Sequence, residues 1–285
     1  MPNAHYYLTL LTALGTQMCV PSEPSPRGDR TPDNDLAYRP SDLSFKKPRA
    51  HPAAEKPLAS PATNSPPIAR MASNLPGEEA SAPPSELAPI VKPYVEHFDT
   101  PKLSGDWNAT STAWQIEDGR LCGRLVRNHP VWLMRRLPKN ARITFTAESD
   151  SQSGDLKVEA WGDGRSGATG ISYTNATSYL FILGGWKNQL HVLARLDEHG
   201  HDRLERRVKD NSTDPREQRV IPGSKYQFQI ERNDGKTVNW SVNGVPMHRF
   251  VDTEPLLGPG HEHLGFNDWE VHACFDDLSI IPLPN

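Results

Sequence analysis

Seven residues, Asp155–Trp161 (DLKVEAW), carry the densest chemistry in the sequence. On a strand the side chains alternate, so Leu156, Val158 and Ala160 fall on one face and Asp155, Lys157, Glu159 and Trp161 on the other. A charged row ending in an aromatic suits a sugar-binding face. Its charged groups take hydroxyls, and the indole stacks on the apolar side of a pyranose ring. The plain alternative is a solvated outer face on which Lys157 screens Asp155 and Glu159. Were the protein an enzyme, Glu159 would work with a second carboxylate, Asp268 or Glu270, as acid and base.

A second candidate is Leu183–Asn188 (LGGWKN). Paired glycines before an aromatic suggest a backbone bend that shows Trp186 at a rim, with Lys187 and Asn188 beside it. Asn267 and Trp269 form a matching pair near the C-terminus, and Arg195 joins the same ligand-binding set. The alternative is that one or both indoles plug the ends of the core, since Trp is highly buried on average.

Histidine pairs at i, i+2 spacing, His199 with His201 and His261 with His263, could ligate a metal if Glu198, Asp202 or Glu262 joined them. Paired loop histidines are common without metal, and no CxxC or Cys/His ligand spacing is present, so no metal site is expected. No cofactor is implied. Structural calcium is compatible with the reading, but no motif indicates it. GDGRSG (162–167) lies between strands rather than before a helix, which argues against a phosphate cradle. No Ser-His-Asp set or nucleophile elbow stands out.

These residues must be positioned by strands. Ile143, Phe145 and Ala147 alternate with polar neighbours, as do Tyr226, Phe228 and Ile230, and Val238, Trp240 and Val242. One face dry and one wet is the antiparallel-sheet pattern. Asp118-Gly119, Asp234-Gly235 and Asn243-Gly244 are two-residue hairpin signals. Roughly a dozen short strands are expected, as in a sandwich. The charged stretch 196–222 reads as a hairpin arm and a long solvated loop. The alternation of the last strand, Val271–Ile281, slips at Asp276-Asp277, which a β-bulge would explain. Its expected partner is the early segment Tyr94–Thr100, so that the domain is closed by its two ends. The strand Arg120–Val126 could lie beside the last strand and bring Cys122 near Cys274. A disulfide and two separate buried thiols are both open.

Composition sets the boundaries. Of 27 prolines 17 lie at or before Pro93, while all seven Trp lie at or after Trp107. Residues 20–92 therefore read as a disordered Pro/Ser/Ala-rich linker, and 93–285 as one folded domain. Within 1–19, a short apolar run Tyr6–Leu14 precedes Cys19, an arrangement like a degenerate lipoprotein signal with Cys19 as the lipidation site. No Lys or Arg precedes that run, and Met18 stands where a small residue belongs, so the alternative is a slightly apolar disordered start. The expected setting is thus exported, in the envelope or outside the cell, with a lipid anchor on the N-terminus as the membrane tether. Net charge is −4 and pI about 6.3. Without a basic excess, nucleic acid is not an expected partner.

The order FDT, DWNAT, WQIEDGRL, ITFTAES, GDLKVEAWGDG, GGWKNQLHVLARLDEHG, PGSKYQFQIERNDGKTVNWSVNG, FNDW and FDDLSIIPL resembles the concanavalin A-like lectin/glucanase superfamily. Within it the likeness is to laminin G-like modules and relatives of the family 16 glycoside hydrolases, over about Tyr94 to Leu283. The resemblance implies an all-β, two-sheet antiparallel jelly roll. In the family 16 hydrolases the catalytic strand carries Glu-x-Asp-x-x-Glu. Here the alternating positions hold Asp155, Lys157 and Glu159, so the retaining dyad is missing. The reading that follows is a monomeric, non-catalytic polysaccharide-binding module. A divergent hydrolase or lyase and a structural or adhesive surface domain are the rivals, because this fold hosts all three.

Overall fold

The structure, a computed structural model, describes residues 87–285. Expectations about the N-terminal segment, Cys19 and the linker as far as residue 86 lie outside the described residues. The first five strands are β1 (Tyr94–Glu96), β2 (Trp107–Ala109), β3 (Trp114–Glu117), β4 (Arg120–Arg124) and β5 (Val131–Leu133). The next five are β6 (Ala141–Ser149), β7 (Leu156–Gly162), β8 (Tyr179–Gly184), β9 (Leu190–Arg195) and β10 (Leu204–Arg207). The last five are β11 (Lys225–Arg232), β12 (Thr237–Val242), β13 (Val245–Val251), β14 (His263–Asn267) and β15 (His272–Pro282).

They form two antiparallel sheets. One runs β13-β12-β11-β6-β15-β4-β3, with β1 added to β15, and the other runs β10-β9-β8-β7-β14-β5-β2. β15 serves two neighbours on one flank. His272–Phe275 pair with β4, and Leu278–Ile280 pair with β1. Between them lies a register shift from Asp276 to Ser279, with Asp277 at φ 51. This is the bulge read from the slipped alternation, and it lets one strand turn from one partner to the other.

Asp118-Gly119 and Asn243-Gly244 both have two positive φ values, 50 and 71, and 50 and 76, as a type I′ hairpin requires. Asp234-Gly235 works differently. There the Asp234 carboxylate accepts from the Lys236 and Thr237 amides and the Thr237 hydroxyl, closing a longer turn. Residues 87–92, read as linker, belong to the packed unit. Leu87 and Ile90 donate backbone bonds to Met134 and Arg136, and Ile90 joins the core. The 196–222 stretch contributes β10 and a short 3₁₀ turn, Pro215–Glu217, in which the Arg216 amide donates to the Asp214 carboxylate.

Aromatic rings fill the space between the sheets. Phe266 stacks on Phe275 at 4.4 Å and Phe145 on Phe228 at 4.9 Å. Trp240 packs between Phe181 and Phe228, on the inner side as its alternation indicates. A second, smaller apolar cluster lies outside this core. Leu180, Ile182, Val192 and Ala194 face outward from β8 and β9 and meet Tyr173 and Ala176 of the 163–178 connection. That connection covers part of the outer face of the seven-stranded sheet, over β7, β8 and β9. Both faces of β7 and β8 are therefore dry, and every residue of the two strands is buried.

Candidate functional site

β7 sends Lys157 and Glu159 to the outer face, beneath the 163–178 connection, and Asp155 sits at its start. Lys157 is 1% exposed, and its ammonium is held by Asn128 Oδ1 at 2.6 Å, Glu198 Oε2 at 2.8 Å and Asp155 Oδ1 at 3.7 Å. Burial alone would lower this lysine, but the Asp155 and Glu198 carboxylates outweigh it and hold the group above its ordinary range. The row is thus a buried ionic floor, where the sequence suggested an open face. Glu159 lies deeper. Its oxygens accept from Tyr173 OH at 3.1 Å, Ser178 Oγ at 2.6 Å and Asn267 Nδ2 at 2.8 Å, and none of its surface reaches solvent. Burial pushes its pKa to about 7, against those three hydrogen bonds. Glu159 clamps the connection onto the sheet together with Trp132, whose Nε1 donates to the Ser166 carbonyl at 2.9 Å. Trp132 lies so close over Gly162 and Gly265 that a Cβ there would meet the ring at 2.6 and 2.8 Å.

Trp186 sits in an unusual turn. Gly184 has φ 74, and Trp186, Lys187 and Asn188 follow at 51, 58 and 63 within the segment Gly185–Asn188. Three successive left-handed non-glycine residues are costly, and such strain persists only where the surroundings enforce it. Asn188 does the enforcing. Its amide donates to the Gln152 and Val220 carbonyls and accepts from the Val220 amide, so the residue is fully employed inside. The turn leaves Trp186 half-buried. Arg203 lies over its ring at 4.7 Å, and His199 meets it edge-on at 5.6 Å.

Across from it stands Trp269, whose backbone amide donates to Asp155 Oδ1 at 3.0 Å. Trp186, Trp269, Ile171, Asp155, Lys157 and Glu198 line one groove of about 380 Å³. A second cleft of about 530 Å³ opens on the far side of Trp269, between Arg127, His129, Thr169 and Glu270, and shares Ile171 with the first. Burial raises Asp155 to about 6, Lys157 opposing and Glu198 reinforcing.

The groove thus gathers Asp155, Lys157, Trp186 and Trp269. Other expected members lie elsewhere. Trp161 leaves the alternation at φ 58 and turns into the core, under the Arg232 guanidinium at 3.9 Å, with Nε1 donating to the Pro138 carbonyl. Arg195 is bound to Asp252 at 2.8 Å and to the Glu254 carbonyl at 2.7 Å. Asn267 is buried against Glu159. Asp268 is also buried. One oxygen accepts from the Val126 amide, the other has no hydrogen-bond partner, and burial raises the group to about 7. Glu270 is exposed, 3.1 Å from Arg127 at the second cleft. Glu159 lines neither of these two clefts.

The histidine pairs do not converge. His199 lies 3.5 Å from Glu198, while His261 and His263 meet the Thr177 and Leu133 carbonyls. Sequence reasoning missed the roles of Asn128, Glu198, His199 and Arg203 in this site. Glu198 was legible only as a spare metal ligand. The signal that could have found it is charge balance, because a lysine on a strand that buries needs carboxylate partners.

No family model matches the chain, and no curated protein matches it in sequence. Solved structures resemble it in fold. A carbohydrate-binding module from Bacillus subtilis is 13% identical with TM-score 0.46, over 62% of this chain and 96% of its own. An alginate lyase is 12% identical with TM-score 0.44, over 70% and 100%. A Bacillus subtilis protein with a galectin-like fold is 16% identical with TM-score 0.41, over 66% and 94%. The fold is an all-β sandwich of two antiparallel sheets. Within the sandwich the function has to be argued from this chain's own residues.

Proposed function

We propose that the domain binds neutral glycan chains in the groove between Trp186 and Trp269 and does no chemistry on them. The observation that carries this is the pairing of two half-buried indoles with a floor of fixed carboxylates. Lys157 spends its donors on Asn128, Glu198 and Asp155, so the floor offers acceptors. Acceptors suit sugar hydroxyls, and indoles suit the apolar faces of the rings. The second cleft beyond Trp269 gives room for a further sugar unit, so a linked chain fits better than a monosaccharide. The Glu159 oxygens are all engaged in holding the 163–178 connection, which favours binding over catalysis.

The proposal includes an exported setting. The Cys122–Cys274 bridge belongs with oxidising compartments, and the Pro-rich segment before the domain would serve as its tether. The test is retention of the purified chain on a panel of insoluble neutral polysaccharides, with reducing-end release measured in parallel. Retention without release is the expected result. Release that Glu159→Gln abolishes would restore the enzyme reading. Absence of retention on every polymer would leave a structural domain.

A further inference from the structure

Cys122 and Cys274 stand directly opposite each other on β4 and β15, Cα atoms 4.1 Å apart, and are joined as a disulfide. Their place does not depend on that bond. β15 is laddered to β4 on one side and to β6 on the other, so the backbone keeps both sulfurs on one face with or without it. His272 lies two residues before Cys274, hence on the same face. Its Nε2 is 3.4 Å from Cys274 Sγ and 3.4 Å from Glu117 Oε2. Its Nδ1 lies 2.7 Å from Asp150 Oδ2. The ligand atoms of Cys122, His272 and Cys274 all fall within 4.8 Å of one another.

Two sulfurs, one imidazole nitrogen and a carboxylate form a tetrahedral zinc set. A carboxylate on the far ring nitrogen is the usual support of a zinc-bound histidine, because it fixes the tautomer and aims the ring. We propose that on reduction of the disulfide Cys122, Cys274 and His272 bind one Zn²⁺, with Glu117 closing the tetrahedron. A dithiol reductant supplies two electrons and two protons. The S–S bond breaks, two thiols form, and the reductant leaves as its own disulfide. Zn²⁺ then displaces the two thiol protons to solvent and bonds both thiolates. At a Zn–S distance of about 2.3 Å the sulfurs need to part to only about 3.8 Å, a small rotation from where they stand. Two thiolates and Glu117 leave the centre with one net negative charge, and Arg124, now 2.9 Å from Glu117, balances it. The two states are alternative staples for one strand pair. The disulfide serves in an oxidising setting, and the metal serves where thiols stay reduced.

The test uses the full chain, oxidised and reduced, titrated with zinc against a competing chelator. Far-UV circular dichroism follows the fold throughout. The reduced chain is expected to take one equivalent of zinc and the oxidised chain none. Cobalt should give the d–d bands of a tetrahedral site together with thiolate-to-metal absorption. His272→Ala, which leaves the disulfide intact for purification, should lose stoichiometric binding on reduction. Asp150→Asn should weaken it about 10-fold. A reduced chain that takes no zinc would overturn the proposal. So would a His272→Ala chain that binds as tightly as the parent. A reduced chain that unfolds and is not restored by zinc overturns it equally.

Discussion

The Trp269 amide donates to Asp155 Oδ1 at 3.0 Å, so a residue after β14 is fixed to the residue that opens β7. One wall of the groove is thereby tied to its floor by a bond from the 269 backbone amide, which Trp269→Ala keeps. Truncating that indole should leave the wall in place and delete only its surface. Trp269→Ala is expected to lower polysaccharide affinity by about 1–3 kcal/mol while the melting temperature stays nearly unchanged. Affinity electrophoresis beside thermal melts reads both. A variant that melts much lower and binds normally would remove Trp269 from the site.

Trp186→Ala is expected to behave less cleanly. Its ring packs against the small outer cluster and under Arg203, so both affinity and stability should fall. The stability loss should still be smaller than for Trp240→Ala. Trp240 is enclosed between Phe181 and Phe228, and its truncation should cost about 3–5 kcal/mol. Denaturant unfolding ranks the two, and an equal loss would place Trp186 inside the core.

Lys157→Met should be severe. Removing the ammonium leaves Asp155 and Glu198 facing each other without their cation in a dry site. Breaking a buried pair from one side costs about 3–5 kcal/mol. Lys157→Met combined with Glu198→Gln should recover part of the loss, and a double-mutant cycle on urea midpoints measures how much. Additive losses would mean that the two residues do not act together.

Stability should fall as pH rises from 6.5 to 8. Glu159 and Asp268 have folded pKa values raised to about 7, with burial as the main cause, so the native state binds more protons than the unfolded chain. Their contribution is complete below the unfolded carboxylate range and is lost as pH rises through the folded values. Asp155, raised to about 6, has lost most of its share by then. His191, lowered to about 4 by burial, acts in the opposite sense, but its contribution rises mainly up to the unfolded histidine value near 6.5. A remainder of that gain falls above pH 6.5, where the unfolded histidine is still half protonated, and His248, also lowered by burial, acts in the same sense; the two carboxylates outweigh both. Melting temperature should drop by a few degrees between pH 6.5 and 8. Glu159→Gln should flatten the slope, and a parent curve that is level or rising over this interval contradicts the assignment.

Much of the sandwich was legible because its signals are local. Alternation on β6, β11 and β12, the Asn243-Gly244 turn and the slip at Asp276-Asp277 each depend on a few neighbouring residues. The site was only half legible, for two reasons. The 163–178 connection has no apolar run, yet Tyr173 and Ala176 are enough to dry the outer face of β8 and β9, and nothing local announces that. Trp161 departs from its strand through a left-handed φ, a backbone choice its side chain does not encode. Asp155, Lys157, Trp186 and Trp269 were found by residue type. Glu198, 41 residues beyond Lys157, could be found only by asking what neutralises a lysine that is out of water.

The position of β15 also has a consequence for how the chain reaches this state. It is the C-terminal strand of the described fold and yet lies in the interior of its sheet, between β6 and β4. On a ribosome, the strands through β14 would emerge with a slot open at the middle of one layer and unpaired β6 and β4 edges on either side of it. Such edges recruit other chains, and pairings this distant in sequence form slowly. β1, β4 and β6 all share β15 as a partner, so adding one strand completes the pairing of three.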